Sequence, residues 1–227
     1  MPLILNIDTA TAVATISIAN DDLVLNSVTS NNQKDHAAFL QPAIKDLLKK
    51  CDLSVDKLNA VAVTEGPGSY TGLRVSMASA KGLCYALNIP LITINTLEVM
   101  ALSAINKIKD DTALYCPMID ARRMEVFAAI YNHTLKQIVK PTAVILNDKL
   151  FEDLLKTNKI YFSESGSLKF KMMSQNDNAV FINNEIIPGN MAQLSYKNYI
   201  KRIFSNVAYA SPLYIKEFYT IPSKTKL

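Results

Sequence analysis

The chain has 227 residues, room for one large α/β unit or two small ones. Apolar residues make up 49% and charged residues 19%, which excludes a disordered chain and leaves ample material for a core. With 24 Lys+Arg against 20 Asp+Glu, the net charge of +4 falls short of the footprint of a stand-alone nucleic-acid binder. The opening Met1–Asn6 lacks basic residues before its apolar run and soon meets Asp8, unlike a signal peptide, and no apolar run reaches the roughly 18 residues of a membrane span. Cys51, Cys84 and Cys116 are widely spaced and form no CxxC pair, so reduced thiols in a cytoplasmic protein are expected. His36 and His133 are the sole histidines; no metal site and no Ser-His-Asp or Cys-His arrangement is indicated, and no catalytic residue is nominated.

In chain order, strands are predicted at Leu3–Ile7, Val13–Ala19 and Leu23–Thr29, the last two separated by the turn residues Asn20-Asp21-Asp22. Phe39, Leu40, Ala43, Ile44, Leu47, Leu48 and Cys51 recur at helical spacing, giving a helix over Asp35–Cys51 with Pro42 inside it or in its first turn. A strand at Asn59–Thr64, a turn at Gly66–Ser69, a helix at Tyr70–Leu87, a strand at Leu91–Asn95 and a helix at Thr96–Lys107 follow. Strands then return at Ala113–Ile119, Met124–Tyr131 and Lys136–Lys140. After them come a helix near 148–157, a strand at Ile160–Ser163, a helix near 167–175, a short strand at 180–182 and a helix at Met191–Ser205. The tail from Tyr209 reads as extended, either solvated or touching RNA through Lys216, Lys224 and Lys226 with neighbouring aromatics.

The halves repeat. Ile7-Asp8 and Ile119-Asp120 each end a strand before a tight hairpin, at an offset of 112 residues that also keeps Ile18 and Ile130 in register. Two α/β units of βββαβα order, each opening on a strand that ends in Asp, describe the duplicated ribonuclease H-like architecture of the actin-like and sugar-kinase superfamily. The units are residues 1–107 and 108–227, with the last helix and tail expected to reach back onto the first. In such a fold the hairpins face nucleotide phosphates, which nominates Asp8, Thr9, Thr11 and Arg122 as phosphate contacts. The alternative is a hairpin whose Asp bonds its own neighbouring N–H groups, favoured by the bulky Arg122-Arg123 and the absence of Gly.

Four of the six glycines lie in Gly66-Pro67-Gly68-Ser69-Tyr70-Thr71-Gly72-Leu73-Arg74 and at Gly82. The block has neither P-loop spacing nor a dinucleotide fingerprint; it reads as a structural turn, Gly66, Pro67, Gly68, Ser69 and Arg74, with Ser69 capping the next helix. That helix carries an apolar stripe and beside it a small-residue stripe of Gly72, Ser76, Ser79, Leu83 and Ala86, to be filled by the first helix of the same chain or by another subunit.

These residues resemble the bacterial TsaB (YeaZ) family, dimerisation subunits of the tRNA threonylcarbamoyladenosine machinery. The resemblance is carried by Ile7-Asp8-Thr9, His36 through Pro42, Gly66 through Arg74, Lys81-Gly82-Leu83, Ile89-Pro90-Leu91 and Ile119 through Arg122, and is faint over residues 135–205. It implies a non-catalytic, shortened relative of the catalytic subunit TsaD, whose His-x-x-x-His metal pair falls at Thr96 and Met100 here, neither a suitable ligand. It also implies an interface through His36, Phe39, Leu40, Ala43 and Leu47 on the first helix and Gly72, Ser76, Ser79, Leu83 and Ala86 on the second. The partners implied are TsaD, the ATPase TsaE and, through the complex, tRNA; alone, the chain would form a homodimer. No cofactor is expected on this chain, ATP and metal belonging to TsaD and TsaE. The complex transfers threonylcarbamoyl from its adenylate to the adenosine beside the anticodon of tRNAs reading codons that begin with A. The rivals are an active phosphotransferase of the same superfamily and a metallopeptidase.

Overall fold

The computed structural model describes residues 1–32 and 35–216. The first half runs β1(Leu3–Asp8), β2(Ala14–Asn20), β3(Leu23–Ser30), α1(His36–Lys50), β4(Ala60–Gly66), α2(Tyr70–Leu87), β5(Leu91–Asn95) and α3(Thr96–Ile108). The second repeats the order: β6(Leu114–Asp120), β7(Glu125–Asn132), β8(Gln137–Ile145), α4(Glu152–Leu155), β9(Ile160–Ser163), α5(Ser167–Lys171), β10(Ala179–Phe181) and α6(Pro188–Ile200). The sheets have matching strand orders, β3-β2-β1-β4-β5 and β8-β7-β6-β9-β10. In each, an antiparallel meander is joined by two parallel strands. This is the duplicated actin-like α/β architecture, its βββαβα core extended by one strand and one helix per half.

The repeat is not strictly linear. Asp8 pairs with Thr15 but Asp120 pairs with Val126, so the second hairpin is one residue shorter. Ile18 faces Leu5, whereas Ile130 lies one position out of the corresponding register, and the constant 112-residue offset slips once the chain has turned.

Buried on both faces, the central strands are largely apolar, Asn6 being the buried polar break in β1. Leu5, Ile7, Val61 and Val63 pack under α1 and α2 with Leu40, Leu47, Met77 and Cys84. On the other face Ile4, Ala60, Ala62, Ile92 and Ile94 meet Val99 and Leu102 of α3 and Met191 and Leu194 of α6. Helix α3 is apolar on nearly every side and has to be covered all round. It lies against β4 and β5 of its own half and β6, β7 and β9 of the other, while α6 returns to β1, β2, β3 and β5.

Four elements differ from expectation. β8 continues through Pro141, which an edge strand tolerates because its outward N–H need not bond. The helices near 148–157 and 167–175 shrink to α4 and α5; neither has a side-chain N-cap, and α4 is entered through a left-handed Phe151. α6 begins three residues early, with Pro188 pre-set for the first turn and Asn190 Oδ1 accepting the Ile187 N–H at 3.1 Å. It ends at Ile200, and Ser205 then bonds back to Leu91 O at 2.8 Å.

The glycine turn lies directly on the first hairpin. A Cβ at Gly68 would lie 2.2 Å from Ala10 O, and one at Gly72 2.1 Å from Thr9 O. At Gly82, on the outer surface of α2, a Cβ would meet nothing within 4 Å. Gly68→Ala should therefore destabilise the fold by about 3 kcal/mol or more, whereas Gly82→Ala should stabilise it by about 0.5–1 kcal/mol through helix propensity. Urea denaturation of the two variants measures both signs.

Candidate functional site

Asp8 closes β1 and is 6% exposed. Its Oδ1 accepts from the Ala10 N–H at 3.1 Å and the Thr64 hydroxyl at 3.0 Å. Burial pushes its carboxyl above the usual range, against the pull of those two bonds and of His36. The Thr9 hydroxyl donates to Gly72 O at 2.8 Å, and that of Thr11 to Val13 O at 3.3 Å. Ala10 O accepts from the Ser69 N–H. The first-hairpin groups nominated as phosphate contacts are thus engaged within the chain. Beside them, Asn6, Asp8, Thr15, Ser17 and the segment entering α6 line a cavity of about 10 Å³, room for a single water rather than a nucleotide.

Arg122 belongs to a separate network. It is exposed and opens three consecutive left-handed residues, Arg122, Arg123 and Met124. Its N–H donates to Asp120 Oδ1 at 2.7 Å. The same oxygen accepts from Lys169 Nζ at 2.6 Å, which, with the Arg122 bond, holds the Asp120 carboxyl below its ordinary range.

Glu65 and Glu164 escaped the sequence reading. β4 ends Thr64-Glu65-Gly66 and β9 runs into Ser163-Glu164-Ser165-Gly166, a second internal repeat. Glu164 accepts from Asn184 Nδ2 at 3.0 Å, and the Ser103 hydroxyl holds Asn184 Oδ1 at 3.2 Å. Burial raises the Glu164 carboxyl, and the charge of Asp8 raises it further. Glu98, on α3, is raised by burial with Lys197 opposing. Its neighbours Thr96 and Met100 are buried, Met100 among Leu97, Ala101, Ile119 and Tyr131, and the Thr96 hydroxyl has no partner. Among the described residues no three His, Cys, Asp or Glu side chains converge on a metal position. Because the native state holds the proton of Glu164 more tightly than the unfolded chain does, stability falls as pH rises through and above the ordinary carboxylate range. Glu164→Gln should match the parent in acid, exceed it at neutral pH and show a flatter pH dependence; urea denaturation across pH measures this.

The helix pair α1–α2 departs from its expected arrangement. His36, Leu40, Ala43, Leu47, Gly72 and Ser76, nominated as interface, are buried within the chain itself. Leu40, Ala43 and Leu47 complete the core over the sheet, and neither His36 nitrogen has a hydrogen-bond partner. Gly72 abuts the hairpin, and the Ser76 hydroxyl turns back to Gly72 O at 3.0 Å. Phe39, Ser79 and Leu83 are half-buried, and Gln41 Nε2 donates to Ser79 Oγ at 2.9 Å, tying α1 to α2 at the rim. Ala86 is exposed. The small-residue seam that remains accessible is rotated by about one residue from the expected stripe: Thr71, the half-buried Val75, Ala78, Gly82 and Ala86, with the exposed Tyr85 at its edge. Its spacing of four, three, four and four residues is that of a helix-packing ridge.

The C-terminal segment, expected to reach back onto the first half, is a strap along the other flank of α2 rather than a solvated tail. Lys81 Nζ donates to Ala208 O at 3.1 Å and Ala210 O at 2.9 Å, and the Leu213 N–H donates to Glu65 O at 2.7 Å beside the buried Gly66 and Pro67. Arg74 lies 3.9 Å over the Tyr70 ring and donates to Tyr214 Oη at 2.9 Å. Lys216 then pairs with Glu125 of the second half. Ser69, as expected, caps α2, its Oγ accepting from the Gly72 N–H at 3.3 Å. Lys224 and Lys226 lie outside the described residues. Cys84 and Cys116 are buried and Cys51 half-buried, all three as free thiols. No helix among the described residues is long and apolar enough to cross a membrane.

The family model described as TsaD, tRNA N6-adenosine threonylcarbamoyltransferase, matches residues 24–213. The tRNA threonylcarbamoyladenosine biosynthesis protein TsaB of Bacillus subtilis is 34% identical over 150 residues, covering 65% of this chain and 64% of that protein, just under two thirds of its length. TsaB of Buchnera aphidicola subsp. Baizongia pistaciae is 31% identical over 160 residues, 69% of this chain and 71% of that one. Among solved structures, a Pseudomonas aeruginosa protein described as similar to peptidase YeaZ superposes with a TM-score of 0.84 at 20% identity, over 95% of this chain and 100% of the other. At that identity the superposition speaks for the fold, and the sequence matches speak for the family: the chain belongs to the threonylcarbamoyltransferase family that the model describes and, within it, to the TsaB (YeaZ) proteins of tRNA threonylcarbamoyladenosine biosynthesis.

Proposed function

We propose that this chain is the non-catalytic scaffold subunit of the complex that transfers threonylcarbamoyl from its adenylate to the adenosine beside the anticodon of tRNAs reading codons that begin with A. The observation that carries this reading is the outward seam Thr71, Val75, Ala78, Gly82 and Ala86 on α2. Small residues at helix-packing spacing let a second helix pair approach closely, and a monomer has no use for such a surface. The partner that fits is the equivalent pair of helices on TsaD, which supplies catalysis, with TsaE as the ATPase of the assembly. Without TsaD, two copies of the seam close on each other as a homodimer. The unit that bears the seam is residues 1–107, and the complex works on tRNA in the cytoplasm.

Several features favour scaffold over enzyme. The first-hairpin groups that would cradle phosphate are spent on Gly72, Ser69 and Thr64. The cavity beside Asp8 has the volume of about one water. Thr96 and Met100 offer no metal chemistry of the kind TsaD uses.

Gly82→Arg tests the interface without disturbing the core, since the position opens onto empty space. The variant should melt no lower than the parent, helix propensity favouring Arg over Gly, while losing co-elution with TsaD on size exclusion and, alone, running as a monomer. Undiminished co-elution would remove the seam from the interface.

A further inference from the structure

The flank of α2 under the strap has a charge pattern that the seam does not use. Residues 66–97, with α2 and β5, and residues 186–216, with α6 and the strap, contain no Asp or Glu, although the chain has 20 of them. They do contain Arg74, Lys81, Lys197, Lys201, Arg202 and Lys216. The two stretches are remote in sequence, and the fold lays one on the other. Ser205 bonds Leu91 O, Lys81 Nζ bonds the carbonyls of Ala208 and Ala210, and Arg74 bonds Tyr214 Oη. Lys216 pairs with Glu125, and Lys197 acts on Glu98 from a distance. Among the described residues the other four cations form no ion pair. With no carboxylate interspersed, their fields add. The modest net charge of +4 hides this face because the acidic residues are concentrated elsewhere.

The second observation is a set of exposed rings on the same flank. Tyr85 and Tyr209 are each 85% exposed, and Phe204 and Tyr214 are exposed as well. Lys81 holds the carbonyls on either side of Tyr209, and Tyr85 lies one helical turn beyond Lys81, which sets both rings beside the cations. Along the strap Phe204, Tyr209 and Tyr214 recur every five residues, between Lys201-Arg202 at one end and Lys216 at the other. Because the strap is tied to Leu91 at one end and to Arg74 in the first turn of α2 at the other, the rings are spread along the helix. Spread rings between cations suit successive nucleotides better than the single clustered anchor of a protein partner.

We propose that this face binds RNA, the tRNA on which the assembly acts, with Lys201 and Arg202 on backbone phosphates and Tyr209 and Tyr85 stacked on unpaired bases. Phosphate contacts supply attraction without regard to sequence, and stacking is available to every base. The strap's backbone is anchored before RNA arrives, so little ordering cost falls on binding. The face adjoins the seam along Tyr85, and RNA held there lies next to whatever helix pair the seam receives. The proposal rests on the reading that the assembly acts on tRNA and is independent of the seam.

The test titrates a labelled, unmodified tRNA transcript with the purified full chain and reads anisotropy over a series of potassium chloride concentrations. The parent should bind, with affinity falling as salt rises. Lys201→Glu with Arg202→Glu should weaken binding about tenfold or more and lower the salt slope by about two. Tyr209→Ala should weaken it about fivefold or more without changing the slope, and Tyr209→Trp should keep the parent affinity. Lys136→Glu with Lys140→Glu, the same charge change on the far edge strand β8, should stay within about twofold of the parent. Should the charge variant fail to fold, the Tyr209 variants decide, since that ring is exposed. Absence of binding by the parent, parent-like binding by Tyr209→Ala, or an equal loss in the β8 control would overturn the proposal. Unchanged tRNA binding with lost co-elution of TsaD would also overturn it and assign the face to a protein. The titration involves no partner protein, so its failure leaves the scaffold reading standing, and failure of the Gly82→Arg experiment leaves this face untouched.

Discussion

Everything distinctive about this molecule depends on the contact between the Gly-Pro-Gly turn and the first hairpin. Gly68 and Gly72 press onto the carbonyls of Ala10 and Thr9 at separations no side chain could occupy. The Ser69 N–H bonds Ala10 O, and the Thr9 hydroxyl bonds Gly72 O. In an anion-binding turn the free N–H groups of a helix start would point at a ligand. Here they are shared between the Ser69 cap and the hairpin, so the helix start is seated on protein.

That seating orients α2, and the orientation decides which of its faces do what. The side bearing Gly72 and Ser76 turns inward to the hairpin, the apolar side covers the sheet, and the flank bearing Arg74 and Lys81 takes the C-terminal strap. What remains outward is a line of Thr, Val, Ala and Gly with Tyr85 at its edge. Closing the hairpin and leaving the seam outward are consequences of one packing choice, which links a hairpin with little room for nucleotide beside it to an accessible line of small residues on α2.

The strap and α6 extend the same logic across the molecule. α3 crosses to the second sheet and α6 comes back to the first, so neither half is covered by its own chain segment alone. The acidic groups at this joint, Asp8 and Glu164, come one from each half and lie in low-dielectric surroundings that favour their protonated forms. Lys216 on Glu125 adds a peripheral tie whose exposed lysine keeps its contribution small.

Periodicity and punctuation in the sequence were enough to determine the order of elements, the duplicated sheets and the glycine turn with its Ser69 cap, because each is set by local propensity and by the alternation of apolar residues. The accessible face of α2 was legible only to within about one residue of helix rotation. Gly72 and Ser76 read as a surface for another helix because small residues look alike whether they admit a neighbouring chain or the chain's own hairpin. The Thr64-Glu65-Gly66 and Ser163-Glu164-Ser165-Gly166 repeat lay in the sequence, hidden because the stretch from Asp120 to Glu164 is 13 residues shorter than that from Asp8 to Glu65. The strap carried no periodic signal, since its partners, Glu65, Arg74, Lys81 and Glu125, are remote in the chain. The sequence by itself determined the fold and the family. Only the tertiary structure decided which face of α2 is free and what Asp8 touches, because both depend on side chains distant in the chain meeting at carbonyl and van der Waals distance.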